Sequence, residues 1–415
     1  MQLHTLIWVG AKSVDLKLSV LIPTKNRSQF VLSAIQSALS LNGDGLEVIV
    51  SENYSSDDSL DQIKLIHDSR LKLVRPSKPL AMHENFEFLL SMAKGEWITF
   101  IGDDDAIMPH ALDYLKYLDS KYLNIEAIYS PRSYYLWESS LYYKSPSSCF
   151  LEVTDREVIR DSKKQLQRCL EGKINYFHLP QIYSGGFHKR SLVLRVIQMQ
   201  NGVYFRSVTP DAYSAVMGVT HTYRYLEVGI PMVWVGSSPS SSYDGKLNNT
   251  KDRHNDFIGA TIDSSIKLNY SLGDIKSWPL SIHFLEAYLA SPFADVSFLS
   301  VRHLKKIINS DSLRYLSLGD LKTLRSVTKE LGVSTWLSTI LCNNTIILRK
   351  FYRLIAFSFE SCSRLLGTNN FRVKRVFSFL TGKLYYSYHS SSGNIPTILH
   401  ANNAVSPIIN SIINR

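Results

Sequence analysis

The sequence predicts an α/β fold, a mostly parallel sheet with flanking helices, followed by a C-terminal mainly α-helical region. Three observations predict it. Short apolar, β-branched runs alternate with amphipathic helical stretches over the first 130 residues, the pattern of a parallel sheet covered on both faces. From residue 251 onward apolar residues recur at helical spacing. The run Lys94–Pro109, KGEWITFIGDDDAIMP, joins an apolar strand to three consecutive carboxylates. The expected division is therefore residues 1–250 for the sheet domain and 251–415 for the helical region.

Leu18–Pro23 reads as a buried strand closed by Thr24-Lys25-Asn26-Arg27, and an amphipathic helix follows over 28–41. After the turn Gly43-Asp44-Gly45, Leu46–Val50 is a second strand, leading into Ser51-Glu52-Asn53 and the polar loop 54–58. A helix over 59–67 and a short strand over 71–74 come next. Residues 80–93 read as a helix with Leu80, Phe86, Leu89, Leu90 and Met92 available for packing. Trp97–Ile101 is the strand before the acids, and a helix runs from about Pro109 to Ser120. A strand over 127–129 completes the alternating part. Residues 131–250 read as irregular and rich in Tyr and Ser, with a bend at Gly185-Gly186, a helix from Ser191 and a strand over 230–235. Helical patterns follow over 253–270, 278–290, 297–309 and 318–331.

Asp103, Asp104 and Asp105 repel one another, and taking them out of water costs several kcal/mol or more unless a cation balances them. Oxygen ligands at the mouth of a sheet suit Mg²⁺ or Mn²⁺, which bind one or two carboxylates together with substrate phosphates. The alternative is a solvated acidic turn capping the helix near Pro109, the better reading for an isolated triplet. Context favours the site. Right-handed crossovers place the strand-to-helix loops at the carboxyl edge of the sheet, where open α/β sheets bind ligands. Thr24, Glu52, Asp57 and the acidic triplet would converge there. Asp211, in TPDAY at 209–213, reads by itself as a first-turn carboxylate favoured by the helix dipole.

The 415 residues are 45% hydrophobic and 20% charged, an ordinary globular composition rather than a disordered one. The net charge of +10 points to anionic partners. Cys149, Cys169, Cys342 and Cys362 lack metal-ligand spacing and read as free thiols of a reducing compartment. No signal peptide and no spanning apolar run is legible, so a cytoplasmic protein is expected, peripheral at the inner face of the cell membrane. The attachment would come from 345–383, where eight Lys and Arg residues face one acid, Glu360, among seven Phe and Tyr. An ordinary helix pair with a solvated basic face is the equal alternative.

Four stretches, LSVLIPTKNR (18–27), LEVIVSENYSSDD (46–58), AKGEWITFIGDDDAIMP (93–109) and TPDAY (209–213), resemble the family 2 glycosyltransferases, over roughly residues 17–245. The resemblance implies the GT-A fold, a nucleotide-sugar donor and inversion at the anomeric carbon. It implies Pro23, Thr24 and Asn26 beside the nucleotide, Glu52 on the base and Asp103 on the ribose; Asp57, at the same sheet edge, and Asn85 are further donor-site candidates. Asp104 is the first choice for metal ligand and Asp105 the other candidate; Asp211 matches the catalytic base. The chain departs at Gly102, where many members carry Asp, and at Pro210, where Glu is frequent. His83 is a further donor-site candidate.

The function expected is an inverting, metal-dependent glycosyltransferase with a saccharide or lipid-linked saccharide acceptor in cell-surface polysaccharide synthesis. Nucleic acid is not among the expected partners. The alternatives are a non-catalytic nucleotide-binding or membrane-associated scaffold that kept the fold, and a nucleotidyltransferase. The latter lacks a Gly-rich Lys/Arg activation loop near the start of the sequence.

Overall fold

The computed structural model describes residues 18–43, 45–137, 147–238, 280–295, 384–388 and 397–413. Its first sheet is built outward from β1 (Leu18–Thr24), which pairs in parallel with β2 (Leu46–Glu52) on one side and β4 (Trp97–Phe100) on the other. Alternation along β1 splits its apolar residues between two cores. Leu18, Val20 and Ile22 join one core and Leu21 the other, as a strand buried on both faces requires. Helix α1 (Ser28–Leu39) covers the first face with Phe30, Val31, Ala34, Ile35 and Ala38. The other face takes Phe86, Leu89 and Leu90 of α3 (Met82–Met92). Each such buried side chain contributes about 1.5–3 kcal/mol.

The sheet has eight strands in the order β3-β2-β1-β4-β10-β6-β11-β9. Here β3 is Leu71–Val74, β6 Ala127–Tyr129, β9 Glu157–Asp161, β10 Gly186–Lys189 and β11 Arg224–Val228. Only β9 and β10 run against the rest, so the sheet is mostly parallel, as the sequence predicts. Helices α2 (Ser59–Lys64) and α4 (Ala111–Lys121) also form where expected.

Between β6 and residue 238 the structure is more regular than the sequence suggests. Helices α5 (Ser162–Leu170), α6 (Arg190–Met199) and α7 (Pro210–Thr220) lie there. So do three strands of a second, five-stranded sheet, ordered β13-β8-β7-β12-β5. They are β7 (Ser133–Leu136), β8 (Ser148–Val153) and β12 (Val233–Ser237); β5 (Ala106–Ile107) and β13 (Leu384–Tyr388) come from before and after. All five are short, and two of the pairings are remote, Val233 with Ile107 and Leu384 with Val153, so local pattern announces only β12 among them. The strand expected over 230–235 forms three residues later, as β12.

Helix α8 (Leu280–Ala290) matches the helix expected over 278–290. The patterns at 253–270, 297–309 and 318–331 and the basic aromatic stretch 345–383 lie outside the described residues. The last helix, α9 (Ile398–Ile413), packs Ile398, Ala401, Val405 and Ile409 into the same core as β1 and α1. Trp234 Nε1 donates to Asn402 Oδ1 at 2.8 Å, and Asn402 Nδ2 donates to the Ile107 carbonyl at 3.1 Å. Among the described residues no helix is long and apolar enough to cross a membrane.

Candidate active site

The acidic triplet is a tight turn between β4 and β5, at the carboxyl edge of the first sheet. Gly102 N donates to Asp105 Oδ2 at 2.8 Å, and Asp105 N returns a bond to the Gly102 carbonyl at 3.1 Å. Asp105 also accepts from Ser184 Oγ at 3.1 Å and from Gly236 N at 2.8 Å. Both oxygens of this expected metal candidate are therefore committed to holding the turn between the two sheets. Burial and the neighbouring Asp104 push its pKa up to about 7.

Asp103 and Asp104 face a cation of the chain's own. Arg27 lies with Nε 3.9 Å from Asp103 Oδ1 and Nη1 3.6 Å from Asp104 Oδ2, all three side chains largely buried. Thr24 Oγ1 donates to Asp103 Oδ2 at 2.9 Å, and Ser238 Oγ donates to Asp104 Oδ2 at 2.5 Å. Arg27 Nη1 reaches the same Ser238 oxygen at 3.2 Å. Burial raises the Asp103 pKa, Arg27 opposes the rise and Asp104 adds to it. The sequence reading gave Arg27 and Ser238 no role. Arg27 was visible within LSVLIPTKNR, but its acids lie 76 and 77 residues further on, 103 − 27 and 104 − 27. Ser238 was hidden in a Ser-rich run.

Two glycines admit this close approach. A Cβ on Gly236 would lie 1.7 Å from the Asp104 carbonyl oxygen, which also accepts from Trp137 Nε1 at 2.9 Å. A Cβ on Gly102 would meet the Tyr183 hydroxyl at 2.8 Å. The departure at Gly102 from the family's Asp thus has a steric reason: Tyr183 fills the space.

The nucleotide-side residues stand together on the first loops. Asn26, at φ 57°, accepts from Ser56 N at 2.7 Å, and its own N–H donates to Ser55 Oγ at 2.9 Å. The loop after β1 is thereby tied to the loop after β2, with Pro23 just before it. Glu52 is fully buried. Its Oε1 accepts from Ser55 N at 2.5 Å, and Arg75 Nε lies 2.9 Å from Oε2, at ion-pair distance but off the line of a hydrogen bond. Arg75 in turn stacks 4.2 Å over Tyr54. Asn85 accepts from Ser51 Oγ at 2.6 Å. His83 is buried, which lowers its pKa against the opposing charge of Glu84. Asp57 is exposed and accepts from the N–H groups of Ser28 at 3.0 Å and Ser59 at 3.1 Å. It caps the starts of α1 and α2, a structural use that accounts for its side chain.

Asp211 occupies the first turn of α7, where Tyr176 donates its hydroxyl proton to Oδ2 at 2.9 Å. Tyr183 lies on the segment hydrogen-bonded along β4, with its hydroxyl beside Gly102 of the acidic turn. Its phenol pKa is raised well above the ordinary value by burial first, then by Asp105, Asp104 and Asp211, all within electrostatic reach. Sequence alone assigns Tyr183 no role. It precedes the Gly185-Gly186 bend, whose fold brings it back over the turn.

Among the described residues no group of three or more His, Cys, Asp or Glu side chains is arranged to hold a metal ion. The Asp103–Asp104 pair nevertheless suits Mg²⁺ or Mn²⁺, which takes one or two carboxylates and completes its shell with water and substrate phosphate. Arg27 shows that this pair is balanced by positive charge.

Acids gathered at the carboxyl edge of an open, mostly parallel sheet define an α/β ligand-binding domain. Residues 19–144 match the glycosyl transferase family 2 model. This stretch of the chain is accordingly a family 2 glycosyltransferase domain, as its motifs imply. The chain is 35% identical over 102 residues to GalNAc(5)-diNAcBac-PP-undecaprenol beta-1,3-glucosyltransferase of Campylobacter jejuni, covering 24% of this chain and 33% of that protein. It is 30% identical over 87 residues to UDP-Glc:alpha-D-GlcNAc-diphosphoundecaprenol beta-1,3-glucosyltransferase WfaP of Escherichia coli, covering 21% of this chain and 35% of that one. The matches thus span about a third of these relatives' length. A solved S. aureus TarS fragment, residues 1–349 with UDP-GlcNAc, aligns with a TM-score of 0.42 at 13% identity, over 82% of this chain and 92% of that chain.

Proposed function

We propose that the chain is a glycosyltransferase that moves a sugar from a nucleotide-sugar donor to a saccharide or lipid-linked saccharide acceptor. The reaction proposed is an inverting displacement assisted by Mg²⁺ or Mn²⁺. The family 2 domain and the glucosyltransferase activities named for the two bacterial relatives support the reaction class. The observation that carries the site assignment is the acidic turn at the carboxyl edge of the sheet, where Thr24, Arg27 and Ser238 gather on Asp103 and Asp104. One mouth is proposed to serve both the departing diphosphate and the attacking hydroxyl.

In this reading Pro23, Thr24, Asn26, Glu52 and Asn85 line the nucleotide, and Asp103 takes the ribose or shares the metal. Asp104 is the principal ligand, because Asp105 is committed to the turn. A bound divalent ion supplies Lewis-acid stabilisation of the charge growing on the leaving phosphate. Asp211 accepts the proton of the acceptor hydroxyl as its oxygen bonds to the anomeric carbon and the bond to the nucleoside diphosphate breaks. Tyr176 fixes the carboxylate that does this. Attack opposite the leaving group inverts the centre and needs one base only, unlike the two carboxylates of glycoside hydrolysis. The catalytic domain is drawn mainly from residues 1–250, with β13 and α9 of the C-terminal region joining its second sheet and first core; an anionic membrane surface is the partner proposed for 345–383.

Transfer or donor hydrolysis with a panel of sugar nucleotides and Mn²⁺ tests the proposal. Asp104→Asn and Asp211→Asn should each lower turnover about a hundredfold or more. Unchanged turnover in both would remove the site assignment. Nucleotide binding by the wild type without turnover on any acceptor would favour the scaffold reading.

A further inference from the structure

Arg132 follows β6 by three residues, on the same sheet edge as the acidic turn. Its guanidinium carbon lies 3.7 Å from the centroid of the Phe177 ring, and Nη2 donates to Gln181 Oε1 at 3.0 Å. Nε is buried with no hydrogen-bond acceptor, and among the described residues Arg132 enters no ion pair. A buried charged donor left unmet costs more than a neutral one, so such groups call for an explanation. The neighbourhood supplies it. Phe177 adjoins Tyr176, whose hydroxyl holds Asp211, and the groups acting electrostatically on Arg132 are Tyr134, Tyr176, Asp211 and Tyr129. For Arg27 they are Asp103, Asp104, Tyr183 and Asp105. The two guanidiniums divide the site: Arg27 stands with the acidic turn, Arg132 with the proposed base.

We propose that Arg132 recognises a phosphate group carried by the acceptor. This rests on the glycosyl-transfer reading and deepens it, since it makes a phosphorylated carrier rather than a neutral glycan the substrate class. Phe177 supports the flat face of the guanidinium and Gln181 takes one N–H, which leaves Nε and a neighbouring N–H to meet two phosphate oxygens as a fork. A neutral saccharide offers no charge to meet the cation. The donor diphosphate is the other source of the same chemistry, and the placement beside Asp211 assigns the acceptor instead.

The test compares wild-type full-length chain with Arg132→Gln and Arg132→Lys. Two acceptors carry the same sugar, one as its alkyl 1-diphosphate and one as its alkyl glycoside. Nucleotide binding and the binding of octyl diphosphate are measured by calorimetry. Arg132→Gln should raise KM for the diphosphate acceptor about tenfold or more. It should leave KM for the glycoside and the affinity for nucleoside diphosphate unchanged, and Arg132→Lys should recover only part of the loss. Weaker nucleoside diphosphate binding would hand the guanidinium to the donor and overturn the proposal. Equal losses on both acceptors, or no loss on either, would overturn it too. Should Arg132→Gln fail to fold, Arg132→Lys and Phe177→Leu carry the same comparison. If the wild type transfers to neither acceptor, it is the glycosyl-transfer reading that fails. Octyl diphosphate binding then decides the phosphate site: dependence on Arg132 sustains it, and indifference to Arg132 removes it.

Discussion

Arg27 is the residue on which the acidic turn depends most. It stands between Asp103 and Asp104, two buried carboxylates that also accept from the hydroxyls of Thr24 and Ser238. Removing one side of a buried ion pair costs about 3–5 kcal/mol, and the slight exposure of Arg27 puts the expectation at the lower end. Arg27→Ala should therefore lower the unfolding free energy by about 3 kcal/mol in urea titrations. Added Mn²⁺ should restore more stability to the variant than to the wild type. Equal stability of variant and wild type would show that solvent already screens the turn. Asp105 illustrates the limit of motif reading at this scale. Three adjacent Asp residues look alike in sequence, yet one is bound on both oxygens by Gly102, Ser184 and Gly236.

At the scale of elements, α7, α8 and α9 each bring a remote stretch of chain to the domain. Helix α8 places Glu286 in the core, where Ser207 donates to one oxygen and the other has no partner. Burial raises its pKa from 4.5 to about 7. Between those values the folded chain holds a proton that the unfolded chain has released, so stability falls as pH rises through this window and levels off above it. The decline from this group is on the order of 3 kcal/mol. Glu286→Gln should flatten that part of the stability curve in urea titrations from pH 4.5 to 8. A variant that keeps the wild-type slope would place the titration elsewhere. Helix α9 is held through Asn402, which joins Trp234 to the Ile107 carbonyl. Asn402→Ala leaves a buried indole N–H unmet and should cost about 1–3 kcal/mol, read from the urea midpoint. An unshifted midpoint would mean that the helix is held by its apolar face alone.

On the scale of the whole molecule, the proposed site joins loops from residues 24 to 238, so a bound ligand should stabilise the fold rather than one element. A nucleoside diphosphate with Mn²⁺ at a hundred times its Kd should add about 2.7 kcal/mol to unfolding. Absence of any shift across the common nucleotides would count against a donor site. The first half of the main sheet was legible because β1, β2, β3 and β4 are apolar runs separated by amphipathic helices, each readable locally. Of the second sheet only β12 was legible. Its strands are short, and β12 finds β5 across 126 residues, 233 − 107, with no local signal that the two will pair.

By itself the sequence determined the alternation of strand and helix, the family motifs and the identity of the acids, because these are properties of neighbouring residues. Only the tertiary structure decided that Arg27 balances Asp103 and Asp104, that Tyr183 takes the room beside Gly102, and that the last helix closes the first core. Those are contacts between segments scores of residues apart. They follow from how crossovers and two packed sheets bring the chain back on itself, which no window of sequence contains.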